Sequence, residues 1–128
     1  MWTFDDLEPG AELGHSSLTV DDAYVDRWLS LYAGEPDTRP LLPAGMANLI
    51  VMRGYGDAVT PRPPGGVHAS QRLTIRRTPL VGERLTTSVR CQGKEFKKDR
   101  RWVRLAVTTA NEIGEICYEG LITSIWAR

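Results

Sequence analysis

Leu41-Leu42-Pro43-Ala44-Gly45-Met46-Ala47-Asn48-Leu49-Ile50-Val51-Met52 is the stretch that decides the fold class, because Asn48 is its only polar side chain in twelve residues. A helix apolar around its whole circumference has to be covered on most sides. The run is too short to cross a bilayer, so the cover must be protein. Pro43 suits the first turn of such a helix, and Gly54 and Gly56 supply its stop. The simplest host is a sheet curled around a central helix.

Upstream, Gly34-Glu35-Pro36-Asp37-Thr38-Arg39-Pro40 carries charge and two prolines without apolar content, which makes it a loop. Before that loop the sequence predicts a helix over 20–33. Thr19 caps it, Val20 is its first residue, and Asp21 and Asp22 stand where the helix dipole favours negative charge. Val20, Tyr24, Trp28, Leu31 and Tyr32 recur at three- and four-residue steps along one face, and Gly34 ends the helix. A short, half-apolar strand, Ala11 to Thr19, enters through Pro9-Gly10 and belongs near a sheet edge.

Downstream, Pro61-Arg62-Pro63-Pro64-Gly65-Gly66 is a stiff turn-rich loop, after which the period changes to two. Val67, Ala69, Leu73 and Ile75 alternate with His68, Ser70, Arg72, Thr74 and Arg76, the pattern of one long half-buried strand. A second strand runs from Arg84 to about Cys91, with Leu85, Val89 and Cys91 on one face. Lys94 to Arg101 mark a charged hairpin. Trp102 to Ala110 and Ile116 to Trp126 are two further strands, reversed by Asn111-Glu112-Ile113-Gly114. Strand, helix, buried helix and then four strands in a meander is an α+β order, with helices on one face of an antiparallel sheet.

The chain has 128 residues, with 16 Lys+Arg against 16 Asp+Glu, which is the size of one domain and leaves no one-signed field for nucleic acid or a membrane surface. The amino terminus has acids where a signal peptide needs bases, and no apolar stretch reaches membrane-spanning length, so a cytoplasmic protein is expected. Cys91 and Cys117 lie far apart without metal-ligand spacing and read as packed thiols, so neither a metal site nor a disulfide is expected.

Several segments resemble the MaoC-like acyl-thioester hydratases and dehydratases. Phe4-Asp5-Asp6-Leu7-Glu8-Pro9-Gly10 with Leu18-Thr19-Val20-Asp21 looks like their opening. Val67-His68-Ala69-Ser70-Gln71, Pro79-Leu80-Val81-Gly82-Glu83-Arg84-Leu85 and Asn111-Glu112-Ile113-Gly114-Glu115 look like the amino-terminal hotdog of the double-hotdog members. The likeness spans nearly the whole chain. It implies the hotdog fold, a five-stranded antiparallel sheet wrapped around a central helix. It also implies (R)-specific hydration of an enoyl thioester or the reverse dehydration, with coenzyme A or carrier-protein thioesters as substrates and no further cofactor. The substrate of that family lies between paired hotdogs, so a homodimer or a heterodimer with another hotdog subunit is expected.

The family's signature is G-D-x-N-P-x-H, whose Asp and His activate a water, while a glycine amide opening the central helix steadies the thioester oxygen. Such proton relay near neutral pH suits a carboxylate and an imidazole. Laying Gly34 on the first glycine puts Glu35 at the Asp position, Asp37 at the Asn position and Pro40 at the His position. The imidazole is missing, and the stretch between motif and helix is nearly absent.

Gly45 matches the oxyanion glycine, and reads equally as a glycine needed where helix packs on sheet. Glu35 and Asp37 read as pocket acids or as solvated turn formers. His68 can replace the missing imidazole or serve as a surface group on the polar face of its strand, and His15 is the weaker choice. Trp28, Tyr32, Met46 and Met52 are candidate acyl-cavity residues, or simply core. Arg53 stands near any tunnel mouth, and Lys94, Lys97, Lys98, Arg100 and Arg101 are candidate phosphate grips, or a solvated hairpin tip. Three functions follow. The first is an acyl-CoA-binding hotdog without the Asp/His pair, the non-catalytic half of a dimer. The second is an active hydro-lyase homodimer using Glu35 or Asp37 with His68, and the third is an acyl-CoA thioesterase.

Overall fold

A computed structural model describes residues 1–127. A 3-10 turn, Phe4–Asp6, precedes β1 (Glu12–Thr19), α1 (Asp22–Leu31), α2 (Met46–Ala58), β2 (Val67–Ile75), β3 (Arg84–Lys97), β4 (Arg100–Ala110) and β5 (Ile116–Trp126). The five strands form one antiparallel sheet in the order β1-β3-β4-β5-β2, so only β3, β4 and β5 make a meander; against the four-strand meander that the sequence predicts, β2 crosses over to pair with β5, and β1 takes the place beside β3. Alternation along the long middle strands turns Leu85, Val89 and Cys91 of β3, Val103, Leu105 and Val107 of β4, and Ile122 of β5 to one side. There they bury Met46, Ala47, Ile50, Val51 and Tyr55 of α2. This is the α+β hotdog arrangement. Among the described residues no helix is long and apolar enough to cross a membrane.

The helix boundaries differ from those the sequence predicts. Val20 is buried outside α1, its carbonyl accepting from the Gly82 N–H at 2.9 Å. The cap passes to Asp21, whose carboxylate accepts from the Tyr24 N–H at 2.9 Å. At the other end α1 closes on Tyr32, whose N–H reaches the Trp28 carbonyl at 3.0 Å. The apolar run from Leu41 does not enter α2 at once. Leu41 bridges Leu80, and the Leu42 N–H donates to the Pro79 carbonyl at 2.9 Å, so these two residues join the sheet side and α2 begins at Met46.

Nor do Gly54 and Gly56 stop α2, which runs to Ala58. Gly54 is a packing glycine: a β-carbon there would sit 2.4 Å from the Thr87 β-carbon, so the helix meets the sheet where only glycine fits. The cover on α2 is also incomplete. Asn48, Arg53 and Asp57 are exposed while Leu49 and Met52 are half-buried, which leaves one stripe open.

The β2 strand is mostly exposed instead of half-buried, because it is an edge strand that reaches past the cover of α2. Its register also shifts between His68 and Ser70, so that only Gln71 and Leu73 turn partly inward. The charged hairpin is tighter than the sequence suggests. The β3 and β4 strands extend into it and leave a two-residue turn, Lys98-Asp99, with φ of 53° and 60°. Positive φ at both residues is what a two-residue reversal between right-twisted strands requires.

Candidate functional site

The position matching the family's oxyanion glycine lies where α2 begins, against α1 and the 34–40 loop. The Met46 and Ala47 N–H groups are satisfied by the Pro43 and Ala44 carbonyls at 3.0 and 3.2 Å. The Gly45 N–H therefore points outward from the helix start, and it is already engaged. It donates to Glu35 Oε1 at 3.0 Å, while Trp28 Nε1 donates to Glu35 Oε2 at 2.7 Å. A carboxylate is well placed there, because a helix amino terminus carries partial positive charge. A β-carbon on Gly45 would stand 2.8 Å from Glu35 Oε2 and 3.2 Å from Trp28 Cζ2. The glycine is thus both a donor and a close-packing residue, and what it packs against is Glu35 and Trp28 instead of the sheet.

Asp37 points elsewhere. Its carboxylate takes the Arg39 guanidinium at 2.7 Å, and the same guanidinium reaches Asp26 at 2.9 Å and Asp22 at 3.2 Å on α1. Arg39 holds the Asp37 carboxyl down at about 2, and the surrounding carboxylates push the already high Arg39 pKa higher. Next to it, the Pro40 carbonyl accepts from the Val81 N–H at 2.8 Å, tying the position of the missing imidazole to the β2–β3 loop.

Trp28 also lines a groove of about 460 Å³, together with Tyr24, Arg27, Leu31, Tyr32, Leu49 and Arg53. Trp28 and Tyr32 form its aromatic wall, with ring centroids 4.3 Å apart. Arg53 lies 3.8 Å from Asp57 one turn on and remains half exposed. Met46, by contrast, is fully buried in the core and does not line the groove.

His68 opens onto a different cavity, about 380 Å³, with Met52, Tyr55, Arg62 and Trp126. Among the described residues no hydrogen bond joins it to Glu35 or Asp37. His15 sits exposed on β1 opposite Ser88. Lys97, Lys98 and Arg100 are exposed at the hairpin tip, and Arg100 and Arg101 border a cleft of about 430 Å³ with Gly65 and Trp126. Lys94 leaves this group: its ammonium donates to the Phe4 carbonyl at 2.7 Å and covers the Phe4 ring.

Two features escape a reading of the sequence. The Trp28 indole N–H is a polar partner of Glu35, whereas helical spacing marks Trp28 only as apolar. Arg39 gathers Asp22, Asp26 and Asp37, and the four-residue step between the two α1 acids was the available signal. The segments 79–85 and 111–115, which carry much of the family likeness, meet at one end of the sheet. Glu83 accepts from Arg77 at 3.0 Å, from the Leu80 N–H at 2.6 Å and from Asn111 Nδ2 at 3.1 Å. Burial works against the Glu83 charge, but these donors outweigh it and hold its pKa below the ordinary value. In this chain the two segments are thus stapled together through Glu83.

No protein-family model matches the sequence, and no curated protein does. Solved structures do. The MaoC-like dehydratase from Rhodospirillum rubrum superposes with a TM-score of 0.78 at 18% identity, over 100% of this chain and 99% of that one. The unliganded R-hydratase PhaJ1 from Pseudomonas aeruginosa gives 0.77 at 16% identity, over 98% and 86%. The C-terminally truncated 3R-hydroxyacyl-ACP dehydratase complex HadBC from Mycobacterium tuberculosis gives 0.70 at 14% identity, over 91% and 96%. At these identities the likeness establishes architecture: the chain has the hotdog fold, in the form seen in MaoC-like dehydratases and (R)-hydratases.

Proposed function

We propose that this chain is a MaoC-like acyl-thioester-binding protein that lacks the water-activating Asp/His pair and serves as the non-catalytic half of a hotdog dimer. One observation carries the reading. The carboxylate at the family's Asp position, Glu35, is committed to Gly45 and Trp28 of its own chain. Asp37 is committed to Arg39, and Pro40 stands where an imidazole would be. General acid–base work needs a group free to exchange a proton with a water beside the substrate. In this reading none of the three positions offers one.

Binding remains open to the fold. The aromatic groove beside α1 suits an apolar acyl chain, and Arg53, Lys97 and Arg100 suit the anionic end of coenzyme A. A hotdog partner is supported by the exposed edge strand β2, where Val67 and Ile75 are 55% and 46% exposed, and by the open stripe of α2. HadBC, a solved structure of this fold, is itself a complex.

The test is hydration of short enoyl-CoA substrates, followed as loss of the conjugated thioester absorbance, by the chain alone and with candidate hotdog partners. The expected result is no turnover alone, with acyl-CoA binding by calorimetry. Turnover by the chain alone that disappears in Glu35→Gln or His68→Ala would make it a self-sufficient hydro-lyase. Release of free thiol from acyl-CoA would make it a thioesterase.

A further inference from the structure

We infer that the cavity of about 380 Å³ between the 61–66 loop, β2 and β5 binds a small organic anion, whose oxyanion group is taken by Arg62, His68 and Ser124 and whose apolar body lies against Tyr55 and Trp126. Ser124 is the first indication. It is only 7% exposed, yet it lines the cavity, and among the described residues its hydroxyl has no hydrogen-bond partner. Buried polar groups are nearly always hydrogen-bonded, so an orphan hydroxyl at a cavity wall marks a place for an outside partner. A water would satisfy the hydroxyl alone, but two further donors stand beside it.

His68 is the cross-strand partner of Ser124, and directly opposed residues share a face with Cβ atoms about 4.5–5.5 Å apart. Arg62 comes from the loop. Its guanidinium lies 4.8 Å over the Tyr55 ring, and among the described residues no carboxylate pairs with it. A guanidinium, an imidazole N–H and a hydroxyl, carried by three different segments, thus line one cavity in which the described residues place no acid. An oxyanion is the ligand that satisfies such a set.

The surroundings agree in sign. The chain as a whole carries no net charge, but the adjoining cleft, which shares Val67 and Trp126 with this cavity, sets Lys98, Arg100 and Arg101 against Asp99. The local field therefore attracts anions to this end of the sheet. Met52, Tyr55 and Trp126 form an apolar wall, which suits an aromatic or short aliphatic body behind the charged head. The groove along α1 shares no lining residue with this cavity, so the inference does not rest on the acyl-thioester reading.

The experiment is calorimetry on the full chain, in the assembly it adopts in solution, with phenyl phosphate, benzoate and the neutral benzyl alcohol as probes. Wild type should bind at least one of the two anions saturably, and about tenfold or more tightly than the alcohol. The tighter anion identifies the head as phosphate or carboxylate. Arg62→Gln and Ser124→Ala should each weaken that anion by about tenfold or more, the worth of a hydrogen bond to a charged group. Lys97→Gln, at the hairpin tip outside the cavity, should leave it unchanged. No saturable binding of either anion, equal affinity for anion and alcohol, or an Arg62→Gln protein that binds as wild type does would overturn the site. If Ser124→Ala does not fold, Arg62→Gln decides, because it changes an exposed loop residue.

Nitrogen-15 NMR locates the anion. The His68 and Ser124 amides and the Trp126 indole should move saturably as the tighter anion is added, and His15 on β1 should not. Shifts confined to the 98–101 turn would place the anion in the adjoining cleft and overturn the assignment to this cavity.

Discussion

Gly54 of α2 crosses Thr87 of β3 so closely that a β-carbon on the glycine would lie 2.4 Å from the threonine β-carbon and 2.5 Å from its Oγ1. Thr87 cannot swing aside freely, because its hydroxyl shares a buried 2.7 Å hydrogen bond with Thr109 on β4. Gly54→Ala should therefore destabilise the protein by about 1–3 kcal/mol, the usual consequence of overpacking, even though alanine is the better helix former. Urea unfolding of the two forms measures this, and an unchanged or higher midpoint would contradict the packing role.

The clasp of Arg39 on Asp37, Asp22 and Asp26 gives a pH dependence with a definite sign. Folding lowers the Asp37 carboxyl from its ordinary 3.8 to about 2, so the pairing adds stability above the ordinary value and loses it as pH falls through about 2. In Arg39→Gln, which keeps the backbone N–H of residue 39 on Asp37 Oδ1 at 3.2 Å, the Asp37 carboxyl should rise toward its ordinary value while staying below it. Carbon-13 NMR titration of the side-chain carboxyl reads it directly, and a value still near 2 would mean that the guanidinium is not the main cause.

Asn111 is buried at the β4–β5 reversal, where both its side-chain polar atoms are engaged. Its Oδ1 accepts from the Glu115 N–H at 2.9 Å, and its Nδ2 donates to Glu83 and Glu115 at 3.1 and 3.0 Å. Asn111→Ala should cost about 1–3 kcal/mol, since a backbone N–H and part of the Glu83 carboxylate lose their partner. Thermal unfolding provides the check, with a midpoint within 1 °C of wild type as the contrary outcome.

Cys91 and Cys117 are fully buried, and burial pushes both thiols above their ordinary pKa. The reactive species is the thiolate, so neither should react with an aromatic disulfide reagent in the native protein at pH 8, and both should react in denaturant. Native labelling of either at the rate of a free thiol would contradict the packing.

The α+β class, the β3-β4-β5 part of the meander and the buried central helix were legible because each rests on a local signal, whereas the pairing of β2 with β5 instead of β3 was not, because it joins segments far apart in the chain. Period-two alternation marks β3 and β4, the apolar run around Met46 to Val51 marks the helix, and Asn111 with Gly114 marks the reversal. Departures occur where a long-range partner outweighs local preference. Leu42 pairs with Pro79 and delays α2, Thr87 makes Gly54 a packing glycine inside the helix, and the edge position of β2 leaves Val67 and Ile75 exposed despite their pattern.

The same division holds at the site. By itself the sequence determined which residue types stand at the signature positions, Glu35, Asp37 and Pro40, and hence that no imidazole follows the acids. Only the tertiary structure decided their partners, sending Glu35 to Gly45 and Trp28, and Asp37 to Arg39. The physical reason is that a carboxylate takes the strongest donor within reach. For Asp37 the donor is two residues on in its own loop, but for Glu35 it depends on how α1, the loop and α2 pack, which no local spacing in the chain encodes.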